Sequence, residues 1–324
     1  MITPENSALR IVFMGTPAFA VPSLKILVSN GYNVVAVVTA PDRPAGRGLK
    51  PAPSDVKNAA LELGLKVLQP EKLKDPVFLD EIRSLNADLQ VVVAFRMLPE
   101  ALWSMPRLGT FNLHGSLLPQ YRGAAPIQRA IMNGEKRTGV TTFFLQHEID
   151  TGNIIHREEV EIGPDETAGE LHDRMMVIGC GLVLKTVREI ETGKVVVRPQ
   201  SSFVREGEVL HSAAKIFRED MRLDFSRPVD ELHNLVRGLS PYPAAFFELE
   251  QPDGSRIQVK VFRSRPETAG TVLTHELICD GKSIKVSASD GFLHVLELQL
   301  PGKKRMSAEE LLRGYRFPDS ARIL

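Results

Sequence analysis

Residues 110–119 read TFNLHGSLLP and place an amide and an imidazole two positions apart, directly before a glycine. Alternate side chains of a strand point to the same side, so Asn112 and His114 project together while Phe111 and Leu113 pack behind them. An amide donates hydrogen bonds, and an imidazole exchanges a proton near neutral pH. The pattern predicts a polar face that meets a ligand, although an isolated Asn-x-His also occurs at ordinary polar strand edges.

A carboxylate, Asp150, follows another apolar strand, which we predict at residues 139–145. It lies in the turn Glu148-Ile149-Asp150-Thr151-Gly152. A lone aspartate in a turn usually caps backbone N–H groups. A catalytic interpretation of Asp150 therefore depends on its meeting His114 in the fold.

Short apolar strands alternate with segments of helical spacing through the first part of the chain. Strands are predicted at residues 10–14, 33–39, 66–68 and 89–94, and helices at 22–27, 54–63, 77–85, 127–132 and 167–191. This alternation predicts an α/β domain with a doubly wound, mostly parallel sheet. The loop Gly15-Thr16-Pro17 lacks the second and third glycines of a dinucleotide-binding turn, which disfavours an NAD-dependent dehydrogenase.

Residues 41–53 contain four prolines and three basic side chains, Arg43, Arg47 and Lys50. Such a segment cannot form a helix or an inner strand. It is either an exposed connection or a mobile arm whose cations contact phosphates.

The sequence pattern changes after residue 192. We read residues 193–209 as a linker, followed by a helix near 229–237 and then β-type runs separated by Asp-Gly turns at 253–254, 280–281 and 290–291. Short strands with such turns predict a small barrel. A basic cluster, Lys303-Lys304-Arg305, then precedes a capping box at Ser307 and Glu310. This cluster is either a solvated face or a phosphate-binding patch.

Composition limits the function classes. The chain has 324 residues, 43% of them hydrophobic and 25% charged, with 40 basic and 40 acidic side chains. This balance argues against binding a polyanion through global charge, so any nucleic-acid contact must use local patches. Cys180 and Cys279 lack metal or redox spacing, and no apolar run reaches membrane-spanning length, so we expect a cytoplasmic protein.

Five motifs along the chain form a recognisable set: FMGTP at 13–17, PDRPAGRG at 41–48, NLHGSLLP at 112–119, YRGAAPIQ at 121–128 and DTG at 150–152. With these motifs the whole chain resembles the methionyl-tRNA formyltransferase family. The Asn, His and Asp set is shared by a wider group of formyltransferases that use formyl-tetrahydrofolate. Within that group, the proline-rich basic loop and the long C-terminal domain point to the tRNA enzyme.

The resemblance implies a Rossmann-like formyltransferase domain at residues 1–192 and an OB-like, tRNA-binding barrel at 210–324. It implies transfer of a formyl group from 10-formyltetrahydrofolate to the methionine amino group of initiator methionyl-tRNA, which supports translation initiation. In that reaction Asn112 and protonated His114 would stabilise an oxyanion, and Asp150 would support proton transfer. No metal is implied, and we expect a monomer.

The same resemblance assigns two loops to folate and two basic groups to tRNA. The folate loops are Phe95-Arg96-Met97-Leu98 and Ser116-Leu117-Leu118-Pro119, whose backbone groups would contact the pteridine ring. The family usually has Tyr-Gly and two further residues where this chain has Phe95-Arg96-Met97, and a glycine at position 148. The tRNA groups are Arg43, Arg47 and Lys50 for the acceptor arm, and Lys303, Lys304 and Arg305 for backbone phosphates.

Two alternatives stay open. The first is another folate-dependent formyltransferase or a formyl-tetrahydrofolate hydrolase, acting on a sugar amine or on water. The second is a noncatalytic tRNA-binding protein on the same scaffold, which would release no tetrahydrofolate. The Asn112, His114 and Asp150 set disfavours the second.

Overall fold

The computed structural model describes residues 7–45, 50–271, 275–318 and 321–324. The chain divides into two compact units. The first consists of Met1–Gly123, Gly139–Val160 and His172–Ser212, and the second of Ala124–Thr138, Glu161–Leu171 and Ala213–Leu324. The predicted boundaries at 192 and 210 stay a prediction.

A seven-stranded sheet forms the centre of the first unit, in the order β10-β9-β7-β6-β1-β2-β5. These strands are β1 (Arg10–Gly15), β2 (Asn33–Val38), β5 (Val67–Leu68), β6 (Leu89–Val93), β7 (Thr110–His114), β9 (Arg137–Phe144) and β10 (Ile154–Glu161). The five from β7 to β5 run parallel, and β9 is antiparallel to β7. The predicted Rossmann-like, mostly parallel sheet is confirmed.

The central strands are buried because both faces of a parallel sheet are covered. Every residue of β6 is buried, and Ile11 to Met14 of β1 have no exposed surface. The chain forms eight helices in its described parts: α1 (Val21–Ser29), α2 (Asp55–Glu62), α3 (Pro76–Ser84), α4 (Glu100–Trp103), α5 (Pro126–Met132), α6 (Ala168–Glu191), α7 (Val229–Leu239) and α8 (Ala308–Leu312).

The proline-rich segment contains a short antiparallel ribbon. Its strands are β3 (Arg43–Ala45) and β4 (Lys50–Ala52), with Arg43 opposite Ala52 and Ala45 opposite Lys50. Prolines are tolerated here because a two-stranded ribbon has only edge strands. Arg47 lies outside the described residues.

The second unit contains an antiparallel sheet in the order β14-β15-β16-β13-β12-β18, with β17 paired to β16. The strands are β12 (Ala245–Glu250), β13 (Arg256–Thr268), β14 (Leu277–Cys279), β15 (Ile284–Ala288), β16 (Gly291–Gln299), β17 (Met306–Ser307) and β18 (Arg322–Ile323). The pairing of β13 with β16 is irregular around Arg263, and such bulges bend a strand and increase its twist. The resulting nearly closed barrel agrees with the predicted OB-like domain.

One face of α7 packs on this barrel. Leu232, Val236 and Leu239 join a core with Phe225 and Phe247 from the same unit. Ser307 caps α8 as predicted, accepting a hydrogen bond of 3.1 Å from the Glu310 N–H. Two further strands, β8 (Arg122–Gly123) and β11 (Ser212–Ala213), contain two residues each.

No helix in the described part of the chain is both long enough and apolar enough to cross a membrane.

Candidate active site

Strand β7 positions the first two candidate residues. Its register places Asn112 opposite Val92 of β6 and Phe143 of β9, so both flanks of the strand are fixed by ladder hydrogen bonds. Asn112 and His114 are two positions apart and therefore share a face of the sheet. Asn112 is half-buried, and its side chain has no hydrogen-bond partner among the residues that the structure describes. Its amide is therefore available to a ligand.

The His114 ring is 6% exposed and has a defined proton arrangement. Its Nε2 lies 2.8 Å from the backbone carbonyl oxygen of Tyr121. A carbonyl oxygen only accepts hydrogen bonds, so Nε2 carries a hydrogen in either charge state. Nδ1 is therefore the ring nitrogen that is left to meet another partner.

Asp150 meets His114, as its catalytic interpretation requires. The Asp150 Oδ2 atom lies 3.8 Å from His114 Nδ1, which is within ion-pair distance and longer than a hydrogen bond. The same Oδ2 accepts a hydrogen bond of 3.0 Å from the Gly123 N–H. The carboxylate is thus held by one backbone donor and faces His114 Nδ1.

The turn around Asp150 has a demanding backbone. Asp150 itself has φ +55°, in the left-handed region that favours glycine. A Cβ on Gly152 would lie 1.6 Å from the carbonyl oxygen of Phe144, so only glycine fits there. The chain therefore needs other groups to hold this turn.

Gln200 supplies two of those contacts and was not predicted from the sequence. Its side-chain amide donates hydrogen bonds of 2.8 Å to the Asp150 carbonyl oxygen and 2.9 Å to the Gly152 carbonyl oxygen. The sequence suggested only a linker here, since its neighbours are polar. The signal that identifies Gln200 is its burial, 4% exposed between an exposed Pro199 and an exposed Ser201.

The two predicted folate loops leave the same edge of the sheet. Strands β6 and β7 are parallel and end level, with Val93 opposite Leu113. The loop of residues 95–98 follows β6 and that of 116–119 follows β7. In open α/β sheets the carboxyl edge is where ligands bind.

In the loop after β7, several polar atoms are already paired within the protein. Ser116 Oγ donates to the Gln120 carbonyl oxygen at 2.6 Å. Thr141 Oγ1 donates to the Ser116 carbonyl oxygen at 2.7 Å and accepts from the Leu118 N–H at 3.1 Å. Leu118 and Pro119 are buried, whereas Leu117 is half-buried. These bonds fix the shape of the loop and occupy the Leu118 N–H, one of the backbone groups that the resemblance assigned to the pteridine ring.

The loop after β6 has one anchored and one free side chain. The Arg96 guanidinium donates to the carbonyl oxygens of Pro70 and Glu71, and its burial lowers its pKa. Phe95 and Leu98 pack against the apolar core of the first unit. The Met97 side chain is 75% exposed. Arg96 thus takes a structural role, and Met97 is the most exposed side chain of this loop.

The candidate tRNA residues differ in how far they are already paired. The Arg43 side chain is exposed at the start of β3, and Lys50 begins β4. Lys304 is 80% exposed and lies 3.7 Å from Glu310, while the Lys303 Nζ lies 5.8 Å from the centre of the Tyr315 ring. Arg305 forms an ion pair with Glu297 and lies over Phe262. A phosphate would have to compete with Glu297 for Arg305.

No group of three or more His, Cys, Asp or Glu side chains within the described ranges could hold a metal ion.

The chain matches the formyl transferase family over both of its parts. Residues 9–186 match the family model described as formyl transferase, and residues 215–316 match the model for its C-terminal domain. A sugar 3N-formyl transferase, WlaRD, solved with dTDP and 5-N-formyl-THF, has the same fold with a TM-score of 0.62 at 20% identity, covering 92% of this chain and 100% of that one. HypX from Aquifex aeolicus, solved with tetrahydrofolic acid, gives 0.61 at 17% identity, over 94% of this chain and 47% of that one.

Sequence relatives identify one family within the formyl transferases. Methionyl-tRNA formyltransferase of Bacteroides fragilis is 52% identical over 321 residues, which is 98% of this chain and 99% of the relative. The Bacteroides thetaiotaomicron protein of that name is 53% identical over 326 residues, again 98% of this chain and 99% of the relative. The chain belongs to the methionyl-tRNA formyltransferase family.

Proposed function

We propose that this protein transfers the formyl group of 10-formyltetrahydrofolate to the methionine amino group of initiator methionyl-tRNA, using Asn112, His114 and Asp150. The observation that carries the catalytic assignment is the separation of 3.8 Å between His114 Nδ1 and Asp150 Oδ2. Asn112 lies on the same face of β7, and its amide is unpaired among the described residues. The relatives' names support the substrate pair.

The reaction begins when the neutral amine attacks the formyl carbon on folate N10. A C–N bond forms, the formyl oxygen becomes negative and the attacking nitrogen positive. The Asn112 amide donates a hydrogen bond to this oxygen, and protonated His114 adds a positive charge beside it. Both groups bind the oxyanion more strongly than the neutral carbonyl, which is what lowers the barrier.

The second half of the reaction moves one proton. The ammonium nitrogen loses its proton to Asp150, directly or through a water molecule. The oxyanion then re-forms the carbonyl, the bond between carbon and N10 breaks, and the same proton passes to N10. The products are the formylated amine and tetrahydrofolate. The distance between His114 Nδ1 and Asp150 Oδ2 is longer than a hydrogen bond. The Nδ1–H group is therefore not hydrogen-bonded to Asp150 and can donate to the oxyanion.

The folate loops at residues 95–98 and 116–119 and the basic residues form the rest of the proposal. We assign the acceptor arm to Arg43, Arg47 and Lys50, and backbone phosphates to Lys303, Lys304 and Arg305. Their support is positive charge, together with exposed side chains at Arg43 and Lys304. A monomeric state and a cytoplasmic location stay predictions, which gel filtration and cell fractionation test.

The deciding experiment measures tetrahydrofolate release from 10-formyltetrahydrofolate with methionyl-tRNA, with uncharged tRNA, with a UDP-amino sugar and with buffer alone. We expect release only with methionyl-tRNA, in a one-to-one ratio with formylmethionyl-tRNA. Equal release in buffer would identify a hydrolase, and release with the amino sugar a sugar formyltransferase. Binding of tRNA without release would identify a noncatalytic protein.

A further inference from the structure

Gln200 is a buried amide in an otherwise exposed segment. It begins the 3-10 turn Gln200–Phe203 and is 4% exposed. The segment is attached to the sheet edge two residues earlier, where Arg198 and Ile154 exchange backbone hydrogen bonds of 2.8 and 2.9 Å. This attachment brings the Gln200 side chain beside the turn that carries Asp150.

The amide orientation of Gln200 is fixed by its partners. Its Oε1 accepts hydrogen bonds of 3.0 and 2.6 Å from Nε and Nη2 of Arg122. A guanidinium only donates, so Oε1 must face Arg122 and the NH2 group must face the carbonyl oxygens of Asp150 and Gly152. Gln200 therefore joins two backbone acceptors that would otherwise be buried without these donors.

The backbone of Asp150 needs such support. A non-glycine residue at φ +55° is in a sparsely populated conformation, which persists only when the surroundings determine it. The carboxylate gains one backbone donor, the Gly123 N–H. The main chain on the other side of the residue is held by Gln200.

We propose that Gln200, oriented by Arg122, is a positioning residue that holds the Asp150 carboxylate against His114. The inference rests on the proposed catalytic role of Asp150. A shift of about 1 Å in a catalytic group costs up to roughly a hundredfold in rate, so the expected effect falls on kcat.

Two variants test the contact. Gln200→Met keeps the length of the side chain and removes every hydrogen bond, whereas Gln200→Glu keeps the acceptor for Arg122 and replaces the NH2 donor by an oxygen. We expect each to lower kcat by about tenfold or more, with KM for methionyl-tRNA and for 10-formyltetrahydrofolate changed by less than about twofold. A Gln200→Glu enzyme with wild-type kcat would overturn the inference, whether or not Gln200→Met folds.

The control is Ser202→Ala. Ser202 lies in the same 3-10 turn as Gln200, and its Oγ donates a hydrogen bond of 2.7 Å to the Pro199 carbonyl oxygen, but it does not touch Asp150. We expect this variant to keep kcat. Thermal midpoints of all variants are recorded so that kinetics are measured on folded protein.

A double-mutant cycle separates this inference from the proposed function. In an Asp150→Asn background, Gln200→Met should change the residual kcat by less than about twofold, because the group it positions is already gone. If Asp150→Asn alone leaves kcat unchanged, the proposed catalytic role of Asp150 fails. If Asp150→Asn lowers kcat but Gln200→Met lowers it by the same factor in both backgrounds, Gln200 acts independently of Asp150 and only this inference fails.

Discussion

Truncating Asn112 should remove one oxyanion donor without disturbing the fold. The residue is half-buried in β7, and its side chain makes no hydrogen bond to the described residues. Asn112→Ala therefore leaves no protein donor or acceptor unpaired among them. We expect it to change the free energy of unfolding by less than about 1 kcal/mol.

The kinetic effect should be much larger, because the donor acts on a charge that exists only in the transition state. Loss of one such donor costs about 3 kcal/mol, or roughly a hundredfold in kcat. Asn112→Asp keeps the shape of the side chain but places an oxygen where the N–H group was. Its kcat should fall at least as far as that of Asn112→Ala, which distinguishes a lost donor from a lost volume.

The assay is single-turnover formylation of methionyl-tRNA at saturating 10-formyltetrahydrofolate, with unfolding measured in parallel. Asn33→Ala is the matched control, since Asn33 is an exposed residue at the amino-terminal end of β2, away from the carboxyl ends of the parallel strands. It should keep wild-type turnover. Near-wild-type turnover of a folded Asn112→Ala enzyme would refute the oxyanion role.

Three further predictions concern other parts of the chain. Gly152→Ala places a Cβ against the Phe144 carbonyl oxygen and should lower the free energy of unfolding by about 3 kcal/mol or more; an unchanged urea midpoint would contradict this. Burial lowers the pKa of His233, so the unfolded state binds more protons and stability falls as pH drops below about 6.5. His233→Gln should lose this pH-dependent loss of stability. Unfolding free energies of the wild type and the variant that change in parallel between about pH 7.5 and 5.5 would contradict the prediction. Replacing Lys303, Lys304 and Arg305 by glutamine should weaken methionyl-tRNA binding. The slope of log affinity against log salt concentration should become shallower by about 0.7–0.9 for each phosphate that is no longer neutralised. An unaltered slope would show that these side chains form a solvated face.

The sequence was most informative where one local pattern determines the structure. Continuous apolar runs predicted β1, β2 and β6, because strands buried on both faces need apolar residues at every position. The spacing of Asn112 and His114 predicted their shared face, because alternation along a strand does not depend on the rest of the fold. The capping box at Ser307 is equally local.

Elsewhere the outcome depended on partners far along the chain. Strand β10 was missed because its sequence, IIHREEVE, is half charged and its last residues alternate between buried and exposed. The ribbon formed by β3 and β4 was missed because prolines argue against strands in general, although they are tolerated in edge strands. Gln200 resembled a linker residue because its partners, Asp150 and Arg122, lie 50 and 78 positions away.

The proposed active site contains both cases: residues placed by a local pattern and a residue placed by partners far along the chain. Asn112 and His114 stand on one strand, so the face that they share follows from their spacing in the sequence. Asp150 stands on a turn with a left-handed backbone, and the contacts that hold it come from Gly123 and Gln200. The two proposed oxyanion donors are therefore positioned by the sheet, whereas the proposed proton acceptor is positioned by side chains and loops. Substitutions distant from β7 should consequently impair proton transfer more than oxyanion stabilisation. Their main effect should be a change in the pH dependence of kcat.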